Sequence, residues 1–217
     1  MKAVYNALEE LKHQVVFVGG ATVSLYADHE VIEPRPTDDI DVIVEILNYK
    51  ERVALEEKLR KKGFMHDAAS GIVCRYTVKG ITVDVMPTND PSIGFTSRWY
   101  EDGFHEAITY EIDDKHTIRI LSAPFFIASK LEAFESRGNM DGRTSHDFED
   151  IVFVLEQRSS IWQEMTLANA NVRQYLKDEF RKLRSNTHLF EWIEAHVERN
   201  IPRATKRILK SLDDFIN

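Results

Sequence analysis

The chain has 217 residues, 43% of them hydrophobic and 29% charged, proportions of an ordinary globular protein that exclude a disordered or fibrous chain. A net charge of -8 excludes a surface coated for indiscriminate nucleic-acid binding, although residues 172 to 210 hold ten Lys or Arg against five Asp or Glu, a basic segment on an acidic body. No apolar run reaches the roughly 18 residues that a spanning helix requires, and Met1 to Glu10 show no basic stretch leading into an apolar one, so the sequence reads as cytoplasmic with no membrane partner.

In chain order, the pattern predicts an N-terminal helix to about Leu11, then a short apolar strand from Gln14 to Val18 that stops at Gly19-Gly20 and leads into a helix. Asp39 to Ile46 reads as a strand, and Tyr49 to Lys62 as an amphipathic helix ended by Gly63. Ile72 to Val78 and Ile81 to Met86 read as two strands joined by Lys79-Gly80, a pair suited to a tight hairpin turn, which makes the sheet mixed. The single cysteine, Cys74, falls in the first of these two segments; it excludes an intrachain disulfide and is expected to be a core thiol.

Asp90 to Ala107, with Pro91, Gly94 and Gly103, is expected to be a long loop whose Trp99, Tyr100 and Phe104 either pack on the core or stack on a base. Thr117 to Leu121 is a further strand, and from Pro124 the spacing becomes helical, with Ala128, Leu131, Ala133 and Phe134 forming a stripe. A polar loop is expected over Ser136 to Thr144, then helices over Asp147 to Leu155, Val172 to Leu183, His188 to Val197 and Pro202 to Phe215. The expected fold is α+β, with a mixed-sheet catalytic domain over residues 1–120 followed by a helical C-terminal domain over 121–217.

The chemistry concentrates in three places: Val18-Gly19-Gly20, the run Arg35-Pro36-Thr37-Asp38-Asp39-Ile40-Asp41-Val42, and Val83-Asp84-Val85. Residues two apart on a strand share a face, so Asp39 and Asp41 project together while Ile40 and Val42 turn to the core. Asp84, flanked by valines, is out of place in an apolar strand unless something positive meets it. Three carboxylates crowded together repel, and an all-oxygen donor set without His or Cys suits Mg2+. Glycines after a strand would let backbone N–H groups approach a triphosphate. Each piece alone is commonplace; their order along the chain is what a polymerase-type palm requires.

These residues resemble the nucleotidyltransferase superfamily with the DNA polymerase β type catalytic fold, whose signature is a Gly-Gly or Gly-Ser pair, then Asp-x-Asp, then a distant Asp. The match covers about residues 15 to 90. Within it, Arg35-x-Thr37-x-Asp39-Ile40-Asp41 is similar to the AbiEii and MenT group of toxin nucleotidyltransferases, often encoded beside an antitoxin.

A second cluster lies downstream, where Lys130 on a mostly apolar helix is followed by Arg137 and by His146-Asp147-Phe148-Glu149-Asp150. Spacing alone allows an ordinary surface ion pair. The resemblance implies instead that Lys130 binds the nucleotide triphosphate and Asp147 completes the active site, with Asp150 holding the helix pair together; His146 stands where the group has a basic residue. The implied catalytic set is Asp39, Asp41, Asp84, Lys130 and Asp147, with Gly19, Gly20 and Lys130 on the nucleotide and Asp39, Asp41 and Asp84 on metal. The implied reaction is transfer of a nucleoside monophosphate from an NTP to RNA, at the 3′ end of tRNA, with the basic C-terminal helices as docking surface and an antitoxin as protein partner. A protein or small-molecule hydroxyl acceptor, and a degenerate module that only binds a nucleotide or partner, stay open as alternatives.

Overall fold

The computed structural model describes residues 1–29, 36–46, 48–89, 97–137, 141–197 and 203–217. They form two compact units, one of Met1–Thr22 and Glu33–Ser122, the other of Val23–Ile32 and Ala123–Asn217.

The first unit holds a mixed sheet of seven strands among the described residues: β1 (Val15–Val18), β2 (Asp39–Val44), β3 (Met65–His66), β4 (Arg75–Val78), β5 (Ile81–Pro87), β6 (Ile108–Asp113) and β7 (His116–Ile120), in the order β3-β4-β5-β2-β1-β7-β6. Strands β2 and β5 run parallel, as do β1 and β7, and the other neighbours are antiparallel. β1 consists of β-branched and aromatic residues, all four buried, as befits a strand in the sheet interior. Among the described residues, helices α1 (Lys2–Leu8), α2 (Tyr49–Lys61) and α3 (Tyr100–His105) and a 3-10 helix (Glu9–His13) belong to this unit, α1 packing on β7 and α3 on β2. Asn48 caps α2 by accepting from Glu51 N at 3.1 Å, and its amide donates to Glu51 Oε1 at 3.1 Å, so cap and first turn satisfy each other.

The β4–β5 turn is Lys79-Gly80, both residues at positive φ (50° and 77°), the conformation a two-residue hairpin needs. β4 starts three residues later than the apolar pattern suggested: Ile72–Cys74 lie in turns stabilised by Ser70, whose hydroxyl donates to Asp67 O at 2.8 Å and accepts from Ile72 N at 3.1 Å. The described part of the expected long loop contains α3, whose Tyr100, Gly103 and Phe104 are buried. Residues 90–96, including Pro91 and Gly94, lie outside the described residues.

The second unit is helical: α4 (Ala123–Arg137), α5 (His146–Gln157), α6 (Ile161–Leu167), α7 (Ala170–Arg184), α8 (Leu189–His196) and α9 (Ala204–Ile216). Every residue of α4 from Ala123 to Leu131 is buried, Lys130 among them, which marks it as the unit's interior helix. α5, α6 and α7 pack against it. Two aromatic groups pack in this unit: Phe134, Phe148 and Trp192 with ring centroids 5.2 to 5.9 Å apart, and half-buried Trp162 with buried Phe180 and Phe215 at 6.1 Å. α4 continues through Arg137, two residues into the segment read as a loop, while Pro202 lies outside the described residues. No helix of the described residues is long and apolar enough to cross a membrane.

Candidate active site

Register alone brings the acidic residues together. Asp84 of β5 is paired with Asp41 of β2 on one side and Arg75 of β4 on the other, and Asp41 is paired in turn with Val18, the last residue of β1. Directly paired residues share a face, so Arg75, Asp84 and Asp41 form one row, and Asp39, two residues before Asp41, joins the same face. One oxygen from each of Asp39, Asp41 and Asp84 lies within 4.8 Å of the others, the sole group of three or more metal-capable side chains among the described residues. Asp84 is buried and the other two are half-buried. Three hard oxygen donors at this spacing fit a divalent cation such as magnesium.

Gly19 shows that the convergence at Asp41 is built into the backbone. A Cβ at position 19 would lie 2.0 Å from Asp41 Oδ2 and 2.9 Å from its Cγ, and Gly19 has φ +73°. Any side chain would displace the carboxylate, and the left-handed backbone adds roughly 1–2 kcal/mol of strain for a non-glycine residue. Gly20 opens a 3-10 helix (Gly20–Tyr26), and Thr22, fully buried, donates its hydroxyl to Gly19 O at 2.9 Å. Gly19→Ala is expected to leave a folded protein, slightly lowered in thermal midpoint, whose transfer rate falls roughly 10²-fold because Asp41 is moved by about an ångström. A rate within threefold of the parent would show that Asp41 needs no such placement.

In the second unit, Lys130 Nζ lies 3.0 Å from Asp147 Oδ1 and 2.7 Å from Asp150 Oδ2, with all three residues buried. Arg137, more than half exposed, donates from Nε to Asp147 Oδ2 at 2.8 Å and from Nη2 to Oδ1 at 3.0 Å. Burial by itself would lower the Lys130 pKa, but the charges of Asp150 and Asp147 outweigh it and raise the value. Burial would likewise raise Asp147, yet the Arg137 hydrogen bond and the Lys130 charge hold it below the usual carboxylate range. Lys130, Asp147 and Asp150 thus form a buried ion-pair network and not a surface ion pair.

A model of the nucleotidyl transferase AbiEii toxin family, type IV toxin-antitoxin system, matches residues 2–215. The chain belongs to the AbiEii family. It is therefore a nucleotidyltransferase, of a family of toxins paired with antitoxins. Similar solved structures include an antigenic nucleotidyltransferase-like protein from Paracoccidioides brasiliensis, 14% identical with TM-score 0.48 over 91% of this chain and 92% of that one. Another is the antibiotic-resistance factor ANT(2'')-Ia, 14% identical with TM-score 0.46 over 84% of this chain and 93% of that one. No curated protein sequence matches the chain.

In this AbiEii enzyme the structure gathers Gly19, Asp39, Asp41 and Asp84 in the first unit, and Lys130 and Asp147 in the second. The aromatic residues of 97–107 are packing residues: Trp99, Tyr100 and Phe104 are buried, and Arg119 stacks over the Phe104 ring at 4.8 Å. His146 is a surface residue 3.2 Å from Glu149. Arg98 is exposed, and Arg35 lies outside the described residues. Burial, with the negative charge of Asp84 nearby, pushes the Cys74 thiol up to about 11, as suits a core group and not a nucleophile. Arg75 is the residue the sequence reading missed: it donates to both oxygens of Asp84 and to one of Asp39.

Proposed function

We propose that this AbiEii enzyme transfers a nucleoside monophosphate from an NTP to RNA, at the 3′ end of tRNA, in the cytoplasm. The observation that carries the reaction is the convergence of Asp39, Asp41 and Asp84 on one face beside a glycine that must lack a side chain. Asp39, Asp41 and Asp84 would hold Mg2+, which supplies charge neutralisation and alignment of the attacking and leaving oxygens in an in-line displacement at phosphorus. Gly19 and Gly20 leave backbone open to a triphosphate. Asp84 is the base we assign to the acceptor hydroxyl. Lys130 is assigned to the charge developing on the pyrophosphate leaving group, with Asp147 orienting it; because its ammonium is bound to two aspartates, a triphosphate engages it by exchange with those carboxylates.

The acceptor reading rests on the basic C-terminal helices. On α7, Arg181, Lys182 and Arg184 are tied to Asp178, Glu179 and Asp213. On α9, Ile208, Leu212 and Phe215 are buried at helical spacing, while Arg203, at the helix start, Lys206, Arg207 and Lys210 are exposed. A row of exposed cations on a helix anchored by its apolar face suits a phosphate backbone. Replacing these four by Gln should weaken tRNA binding and flatten the dependence of log affinity on log salt by roughly 0.7–0.9 for each phosphate no longer neutralised. Unchanged affinity at every salt concentration would remove α9 from the RNA interface.

The direct test offers each α-labelled NTP with magnesium and total tRNA. Label entering tRNA supports the reading; label entering a protein or a panel of small hydroxylated molecules instead moves the acceptor, and none in any acceptor leaves a binding module.

A further inference from the structure

The positive group that Asp84 requires is supplied by the chain itself. Arg75 faces Asp84 across the β4–β5 ladder; its Nε donates to Asp84 Oδ1 at 2.8 Å and its Nη2 to Asp84 Oδ2 at 2.7 Å, and the same Nη2 reaches Asp39 Oδ2 at 3.0 Å. One planar fork therefore closes both oxygens of one carboxylate and one oxygen of another, tying β5 to β2 through a residue of β4. The Arg75 side chain is itself mostly buried, 22% exposed, so its charge is poorly screened by solvent salt.

On the metal reading proposed above, we infer that Arg75 is the resident counter-ion of the triad: it holds Asp39 and Asp84 convergent when no metal is bound, and it competes with a divalent ion for their oxygens. Competition follows from two features of the geometry. Each hydrogen bond from the fork occupies an in-plane lone pair that a metal would use. A guanidinium within hydrogen-bond distance of two of the three ligands also repels a dication held by them, more strongly than it would in bulk water. Three carboxylates and one guanidinium leave two net negative charges, which one dication balances; further positive charge is accommodated only when a nucleotide brings phosphate oxygens of its own. Arg75 thereby keeps metal affinity low in the free enzyme and couples metal loading to nucleotide binding, a coupling that is reciprocal by linkage. It is a positioning residue, acting through Asp39 and Asp84.

The test is Mn2+ binding to the full chain without nucleotide, followed by the decrease of the free-ion paramagnetic resonance signal, in the parent, Arg75→Met, Arg75→Lys and Asp39→Asn. Arg75→Met is expected to bind Mn2+ at least about tenfold tighter than the parent, with Arg75→Lys in between, because the fork is lost and then the charge. Its thermal midpoint is expected to fall without metal and to recover with Mn2+, and the enhancement of Mn2+ binding by an NTP is expected to shrink. Damage to the fold cannot tighten binding, so the sign of the change is diagnostic. Should Arg75→Met fail to fold, Arg75→Lys decides by the same criterion. Mn2+ binding equal to or weaker than the parent's in the folded Arg75 variants, with binding lost in Asp39→Asn, overturns the inference and leaves the metal site standing. No binding by any variant or the parent at millimolar Mn2+ overturns both.

Discussion

Asp39→Ala is expected to lower nucleotide transfer by at least about 10³-fold, because residues that act as one constellation fail together when one is removed. The same substitution should leave thermal stability nearly unchanged. Asp39 is half-buried at the first position of β2, and its carboxylate accepts a hydrogen bond from Arg75 that Asp84 already shares. Taking out one of three neighbouring carboxylates also removes its repulsion with the other two, which offsets part of the lost hydrogen bond. Single-turnover assays with the α-labelled NTP that the parent uses, at saturating Mg2+ and again with Mn2+, read the loss separately from binding. A variant within tenfold of the parent would remove Asp39 from the reaction. An inactive variant whose fold is intact and whose Mn2+ affinity has fallen would place the loss at the triad.

How much of this site the sequence shows depends on where each signal resides. The core strands are legible because β1, β2 and β5 are rich in β-branched residues and β5 is set off by a recognisable turn. The same rule could have found Arg75. A two-residue turn at Lys79-Gly80 pairs Val78 with Ile81 and, counting outward, Arg75 with Asp84, so the partner that the lone aspartate demanded was fixed by arithmetic on the hairpin. An arginine in the middle of the strand read over Ile72 to Val78 simply looks like a solvent-facing side chain. β6 escaped notice for a different reason: its residues are exposed or half-exposed on both faces, so it carries no apolar alternation to read. α3 and α6 are six and seven residues long, too short for a helical period to declare itself against the surrounding glycines and polar residues. The depth of Lys130 was hidden as well. A charged residue within α4 reads as surface until the whole helix proves to be interior, and that is a property of the packing and not of the spacing.

Lys130→Met should destabilise the protein by about 3–5 kcal/mol, the usual cost of removing one member of a buried charged network. The ammonium faces both Asp147 and Asp150, and methionine fills its volume but answers neither charge. Denaturant unfolding across pH gives a second, sharper reading. In the parent, Asp147 has a depressed pKa, so its contribution is present above the unfolded value of about 3.9 and is lost as pH falls through the lower folded value. In Lys130→Met, Asp147 loses the Lys130 charge but keeps the Arg137 hydrogen bonds, so its depression shrinks and stability should fall less steeply than in the parent as pH is lowered through the acid range. Such a loss of stability would by itself reduce apparent activity, so the single variant cannot separate a structural lysine from one that meets the nucleotide. Lys130→Met combined with Asp150→Leu removes an ion pair whole and replaces it with apolar volume, an exchange that is often neutral. The double variant is expected to recover most of the lost stability and to remain roughly 10²-fold slower in transfer, as the loss of a cationic stabiliser of the leaving group requires. If the stable double variant transfers at the parental rate, Lys130 serves the fold alone, and Arg137, which shares Asp147 and is more than half exposed, becomes the cation to test next against the triphosphate.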